Sequence, residues 1–347
     1  MITINKNADD KIKIILYGTG KTSQPIMKKL CQISSIQVTA VADGNLLKEG
    51  QDFYGHKIIA PKDISNYSYD YLIIASIFKD EIKEQLKNIG VDINKILDNY
   101  IYFMQCHWIK EHYKAFYDKN DKLKQDNIDN NEKIIIYTAM FGEYDELHDP
   151  EYIDQNCDYI CFTDNANLTS KVWKINLISD KYIDPNRAAK KYKIMPHEFF
   201  ENYSWSIWID ANITIIGDMR KLLSESIGYG NIANLIHVDR DCIYDEADTC
   251  ISMQKDNADV IQKQMDSYRM EGYPIRNGLI CGSCIIRKHN EPEVVRLMAR
   301  WWDEIQKKSR RDQLSFNYSA WKEEVFYDVM NIHTFINPYF ITNKHLI

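Results

Sequence analysis

Asp210 and Asn212, in the run Trp205-Ser-Ile-Trp-Ile-Asp210-Ala-Asn212, place two oxygen-bearing side chains one residue apart directly after an apolar stretch. Two such groups on a turn can both face a divalent cation, Mn²⁺ or Mg²⁺, which would neutralise a diphosphate and let it leave. The same triplet also suits an ordinary turn after a strand. Asn212 is a neutral ligand where a second acid would bind harder, so metal dependence is an open expectation. The segment His237-Val-Asp-Arg240-Asp241-Cys-Ile-Tyr244-Asp-Glu246 gathers further ionisable groups. His237 could ligate a metal or donate to phosphate, and Asp241 or Glu246 could orient an acceptor hydroxyl. As a free-standing stretch it reads equally as a solvated, salt-bridged turn. Near the N-terminus, Gly18-Thr-Gly20 follows an apolar run, and Asp43 ends the next one. Main-chain NH groups at such a turn can hold phosphate, and such an acid can hold a ribose. Ser23 stands where a third glycine would be, and Ile15 excludes a P-loop reading of Gly20-Lys21-Thr22.

These residues need strand ends and helix starts to aim them. Residues 12–17, 38–42 and 71–75 are short, β-branched and apolar, with helical patterns between them, which predicts a parallel sheet. Residues 118–133 are too polar to bury a core and mark a boundary. The expected domains are therefore 1–117, a linker at 118–132, and 133–347. A second strand series follows at 134–137, 159–162, 206–209 and 280–286. Tyr137-Thr138-Ala139-Met-Phe141-Gly142 runs into a glycine turn, and Cys161-Phe162-Thr163-Asp164 ends in an acid. Thr138 and Ala139 could grip a nucleoside through main-chain groups, and Asp164 through its base or ribose. Asp184-Pro185 opens a helix with an apolar stripe at Ala188, Tyr192, Met195 and Phe199. Its other side carries Arg187, Lys190 and Lys191, suited to a diphosphate. Asn290 and Glu293 form a capping box for a second helix, and Asp312 opens a third.

Composition narrows the function class. The 347-residue chain has 43 basic and 50 acidic residues, a net charge of −7, which disfavours a nucleic-acid binder. With 45% hydrophobic and 27% charged residues it is an ordinary globular composition. No run reaches the roughly 18 apolar residues of a membrane span, and the N-terminus lacks a signal-peptide pattern, so a cytoplasmic location is expected. The eight cysteines then read as reduced thiols, including Cys281-x-x-Cys284, which has redox or zinc spacing but no regular partner pair. Lys307-Lys308-Ser309-Arg310-Arg311 reads as an exposed helix end. Its sharper reading is contact with an anionic acceptor, or peripheral association with the inner face of a membrane.

Residues 133 to about 322 resemble the glycosyltransferase-like domain shared by bacterial polysaccharide-locus proteins and plant mucilage-related and turgor-regulation proteins. The matching segments are YTAMFGEYD, CDYICFTD, DPNRAAKKYKIMPHEFF, SIWIDANI, HVDRDCIYDEA, NGLICGSCIIRKHN and RRDQLSFNY, in that order. The resemblance implies a GT-A-like α/β domain with a donor site at Thr138, Asp164, Arg187 and Lys191 and a metal motif at Asp210 and Asn212. It also implies that Asp312-Gln313 contacts the transferred sugar. Residues 11–100 resemble, through unspecific motifs, the Rossmann-type modules fused to sugar-modifying enzymes. The resulting expectation is a glycosyltransferase moving sugar from a nucleotide-diphosphate donor to a glycan or glycolipid in surface polysaccharide synthesis, capsular or lipopolysaccharide. Two other readings stay open. One is an NAD-dependent oxidoreductase using Gly18, Gly20 and Asp43; the other is a non-catalytic sugar-nucleotide-binding module.

Overall fold

The computed structural model describes residues 11–76, 78–97, 100, 103–104, 107–108, 111, 132–142, 145–179, 184–330, 332–335 and 337–344. The chain divides into two compact units, Met1–Ala115 and Phe116–Ile347. Of the expected linker, all but Glu132 lies outside the described residues.

The first unit contains β1 (Ile12–Tyr17), α1 (Ser23–Leu30), β2 (Ile36–Ala42), β3 (Asp52–Phe53), β4 (His56–Ile59), β5 (Tyr71–Ile74) and α2 (Lys79–Asn88). The sheet order is β3-β4-β2-β1-β5, with β1 parallel to both β2 and β5. Both faces of β1 are covered, which is why its sequence is apolar without alternation. Ile12, Ile14 and Leu16 pack with Ile26, Met27 and Leu30 of α1. Ile15 and Tyr17 pack on the other side with Leu86 of α2 and Ile64.

The second unit contains β6 (Ile134–Met140), β7 (Cys157–Thr163), β8 (Lys174–Leu177), α3 (Pro185–Ile194), β9 (Trp205–Ile209), β10 (Ile213–Ile215), α4 (Met219–Ser226) and β11 (Ile232–Ile236). It continues with α5 (Ile243–Ser252), α6 (Ala258–Met270), β12 (Ile280–Arg287), α7 (Pro292–Lys307), α8 (Gln313–Glu323), β13 (Asp328–Val329) and β14 (Phe340–Thr342). Seven strands form one mixed sheet in the order β13-β11-β12-β9-β6-β7-β8, and β10 pairs with β14 separately. β6 lies parallel to β7 on one side and to β9 on the other, whereas β12 runs antiparallel to β9 and β11. The expected α/β class holds. The chain leaves β6 for β7 in one direction and reaches β9 in the other, so a crevice opens beyond the C-terminal ends of β6 and β9. In open α/β sheets that is where ligands bind.

Helix ends differ from expectation in instructive ways. α3 stops at Ile194, short of the predicted stripe's end at Phe199, because Pro196 disfavours helical backbone before it and can supply no NH. Asn290 does not cap α7; Glu291 holds that position with no side-chain cap. The Asn290 amide donates instead to the carbonyls of Glu201 and Tyr203, and Glu293 accepts from Asn231.

Candidate active site

A cleft of about 670 Å³ occupies that crevice. The end of β6 contributes Ala139 and Met140, the end of β9 contributes Trp208 and Asp210, and α3 contributes Lys190 and Lys193. Opposite them lie Cys281 and Ser283 of β12 and the residues Arg310 to Gln313 at the start of α8. The β9 strand is buried along its whole length, so the first position free to turn towards a ligand is Asp210.

Two carboxylates and two lysines lock together here. Lys193 Nζ lies 3.2 Å from Asp210 Oδ1 and 2.8 Å from Asp312 Oδ2, and Lys190 Nζ lies 3.1 Å from Asp312 Oδ1. Trp208 Nε1 donates to the same Asp210 oxygen at 2.7 Å. The side chains of Lys193 and Asp312 are only 5% and 7% exposed, so each charge depends on the other for compensation. Burial alone would raise the Asp312 carboxyl, but Lys190, Lys193 and Arg311 hold it well below the usual carboxylate range. Burial alone would lower Lys193, yet Asp210 and Asp312 push its ammonium above the ordinary lysine value. Burial, only partly opposed by Asp312, lowers Lys190.

Asp312 sits at the N-cap position of α8 but caps nothing with its side chain. Its main-chain oxygen accepts from Trp301 Nε1 at 3.0 Å, which ties α7 to this corner. Behind Lys193, fully buried Arg287 donates to the Tyr137 hydroxyl, which donates to the Lys193 carbonyl at 3.1 Å. That chain places positive charge at the C-terminal end of α3, where the helix dipole favours it. Burial pushes the Tyr137 hydroxyl up to about 12, so it stays neutral and able to donate. Phe141, Tyr192 and Phe162 stack in sequence and fix the opposite side of α3 to the sheet.

Of the residues predicted from sequence, Ala139, Lys190, Asp210, Asn212, Asp312 and Gln313 line the cleft. Thr138 is buried within β6 and does not. Asp164 stands beside the rim, accepting from the Gly142 NH at 3.1 Å. Arg187 turns away, donating to the Lys308 carbonyl at 2.9 Å, and Lys191 pairs with Glu198 at 3.4 Å. The helix meets the cleft, but through Lys190 and Lys193, three residues apart on one face. Sequence reasoning missed Lys193, which was not among Arg187, Lys190 and Lys191, the residues it assigned to that side of the helix. It also misread Arg311 as part of an exposed helix end. Ser309 is fully buried and Arg311 lines the cleft, donating to Gln313 at 3.0 Å.

The His237 segment does not line the cleft. Asp241 pairs with Arg276 at 2.7 Å and Glu246 with Arg240. His237 Nδ1 accepts from the main-chain NH groups of Asp239 and Arg240, at 3.2 and 3.1 Å. Burial, against the pull of Glu246, keeps its imidazole neutral. The segment is linked to the cleft through Arg311, which feels the charges of both Asp312 and Glu246.

The three residues expected to hold a cation are not brought together, since His237 does not line the cleft that Asp210 and Asn212 share. Ammonium groups take both Asp312 oxygens and one of Asp210. The Asn212 amide donates to the Asn343 carbonyl at 2.8 Å and so anchors the chain after β14. Among the described residues no three His, Cys, Asp or Glu side chains gather as metal ligands. Cys281 and Cys284 are unbridged, and burial pushes both thiols up, which keeps them protonated and weakly reactive.

The N-terminal turn is occupied by its own chain. Asp43 accepts from the Thr19 NH at 3.0 Å, the Thr19 hydroxyl, the Asn45 NH at 2.8 Å and Lys48 Nζ at 2.9 Å. A ribose would have to displace those donors. Gly18 has φ +102° and lies close to the Ala75 carbonyl, whereas nothing crowds Gly20.

The fold and the cleft together define an α/β protein with a ligand-sized crevice beyond the strand ends of its second sheet. Residues 45–340 match the family described as TOD1/MUCI70, glycosyltransferase-like domain, and the chain belongs to it. The match begins inside the first unit, upstream of the 133–322 span read from the motifs. A relative in Arabidopsis thaliana, described as "Probable hexosyltransferase MUCI70", is 25% identical over 213 residues. That alignment covers 53% of this chain and 36% of the relative, so the chain spans about a third of its length. A solved structure titled as a Rex-family repressor aligns over 56% of this chain and 63% of its own, at 10% identity and a TM-score of 0.21. A likeness that low carries no argument about this fold.

Proposed function

We propose that the protein transfers a sugar from a nucleotide-diphosphate donor to a hydroxyl of a glycan or glycolipid, within the cleft of the second unit. The observation that carries this reading is the convergence of Asp210, Lys190, Lys193, Arg311 and Asp312 on one cavity at the sheet's switch point. The family's description and the hexosyltransferase relative support it. Capsular or lipopolysaccharide synthesis is the setting that the motif resemblance suggests.

In this reading the anomeric carbon–oxygen bond to the diphosphate breaks, and the leaving phosphate keeps the electron pair. The acceptor hydroxyl oxygen bonds to that carbon, and its proton passes to a phosphate oxygen of the leaving group. Lys190, Lys193 and Arg311 stabilise the charge that develops on the diphosphate. Asp312, held ionised by three cations, is too weak a base to abstract a proton. It stabilises positive charge on the reacting sugar instead. Phe335, 56% exposed at the rim, offers a ring for a base or sugar to stack upon.

The test is release of nucleoside diphosphate from a panel of UDP-, GDP- and dTDP-sugars with glycan acceptors. Turnover should fall about 100-fold or more in Asp312→Asn, the scale of losing one preorganised charge contact. Full activity in that variant would remove the assignment, as would wild-type inactivity across donors.

A further inference from the structure

We propose that Lys193 is a built-in cation: its ammonium stands where a divalent metal would bridge the two cleft carboxylates, and donor binding is metal-independent. The inference rests on the sugar-diphosphate reading of the cleft.

The geometry is specific. A divalent cation bound by Asp210 and Asp312 would need their oxygens converging at about 2.0–2.6 Å on one point. Those oxygens converge instead on Lys193 Nζ, at 3.2 and 2.8 Å, which are distances for a charged hydrogen bond. A metal sharing the two oxygens would lie in contact with the ammonium, a like charge in a water-poor setting. The remaining Asp312 oxygen is held by Lys190, and the Asn212 amide NH2 is turned to the Asn343 carbonyl.

The ammonium is also installed from behind. The Arg287–Tyr137–Lys193 chain fixes the end of α3. Trp208 lies with its ring centroid 5.5 Å from Lys193 Nζ while donating to Asp210. Gly282 approaches from β12, where an added Cβ would meet Lys193 Nζ at 3.6 Å and Asp312 at 3.9 Å. Around Asp312 the cations Lys190, Lys193 and Arg311 outnumber Asp210 and Asp312 by one, whereas over the whole lining Arg310 joins the cations and Asp145 and Asp184 the acids, so the two signs balance.

The full chain is titrated calorimetrically with UDP, GDP and inorganic pyrophosphate, in EDTA and again with Mn²⁺. At least one diphosphate should bind in EDTA, with an affinity that Mn²⁺ changes by less than about threefold, and Lys193→Ala should weaken it about tenfold or more. Binding that appears only with Mn²⁺ overturns the built-in cation and leaves the sugar-diphosphate reading standing. Absence of binding by every probe in both conditions overturns that reading and this inference with it. Mn²⁺ binding followed by electron paramagnetic resonance gives a second readout. Lys193→Ala should gain a Mn²⁺ site that the wild type lacks and that Asp210→Asn removes, whereas equal Mn²⁺ affinity in both chains contradicts the proposal. The EDTA comparison needs no variant, so it decides the matter even where Lys193→Ala fails to fold.

Discussion

Charge compensation governs the individual residues of the cleft, and buried groups elsewhere in the same unit follow the same rule with the opposite outcome. His289 is fully buried, and its Nε2 donates to the Phe200 carbonyl at 2.8 Å. Burial pulls its pKa from 6.5 down to about 4. The unfolded chain therefore takes up a proton first as pH falls below about 6.5, and the folded chain follows only near 4. Stability is lost across that window, by about 3 kcal/mol at most. Urea unfolding from pH 7 to 4 should show wild type losing stability more steeply than His289→Gln; parallel curves would place the loss elsewhere. Asp210 was legible in the sequence because an acid ending a largely apolar, fully buried strand has few places to go but a strand-end crevice. Lys193 was not, since one lysine among Lys190, Lys191 and Lys193 carries no sign of which carboxylates lie across the fold. Arg287, followed directly by Lys288 and His289 at the end of an apolar strand, gave equally little sign of its buried role.

Elements place these residues through close backbone approaches that hydropathy patterns do not display. The strands β6 and β9 were readable because burial on both faces leaves a nearly continuous apolar run, and β7 and β12 because most of their positions are apolar, with β-branched or aromatic residues among them. The β10–β14 pair was not, being three residues on each strand and far apart in the chain. That pair holds the Asn212–Asn343 contact at the cleft's edge, and the Ile216 and Gly217 NH groups both donate to the Tyr339 carbonyl. A Cβ on Gly217 would clash with the Pro338 carbonyl, a backbone atom that cannot swing aside. Gly217→Ala should therefore destabilise by about 2 kcal/mol or more, the scale of forced backbone shifts. Gly20→Ala, with open space around it, should stay within about 0.5 kcal/mol. Thermal unfolding of both variants checks the contrast, and equal effects would show that the β14 approach is loose.

At the scale of the molecule, each unit has a glycine turn after a strand, and they differ in what meets the turn. In the first unit Asp43 is saturated by Thr19, Asn45 and Lys48. In the second, the crevice beyond β6 and β9 stays open as a cavity of about 670 Å³ lined by fixed cations. The motif order along residues 133–322 made the second unit's class readable, whereas the self-satisfied state of Asp43 depends on loop residues whose spacing has no recognisable pattern. Among the described residues no helix is long and apolar enough to cross a membrane. The most direct measurement of the central claim is a crystal structure of the chain grown with UDP or GDP. The account predicts both phosphates within hydrogen-bond distance of Lys190 and Lys193, with the sugar-side oxygen towards Asp312. A diphosphate seated instead on Gly18–Gly20 of the first unit would contradict it.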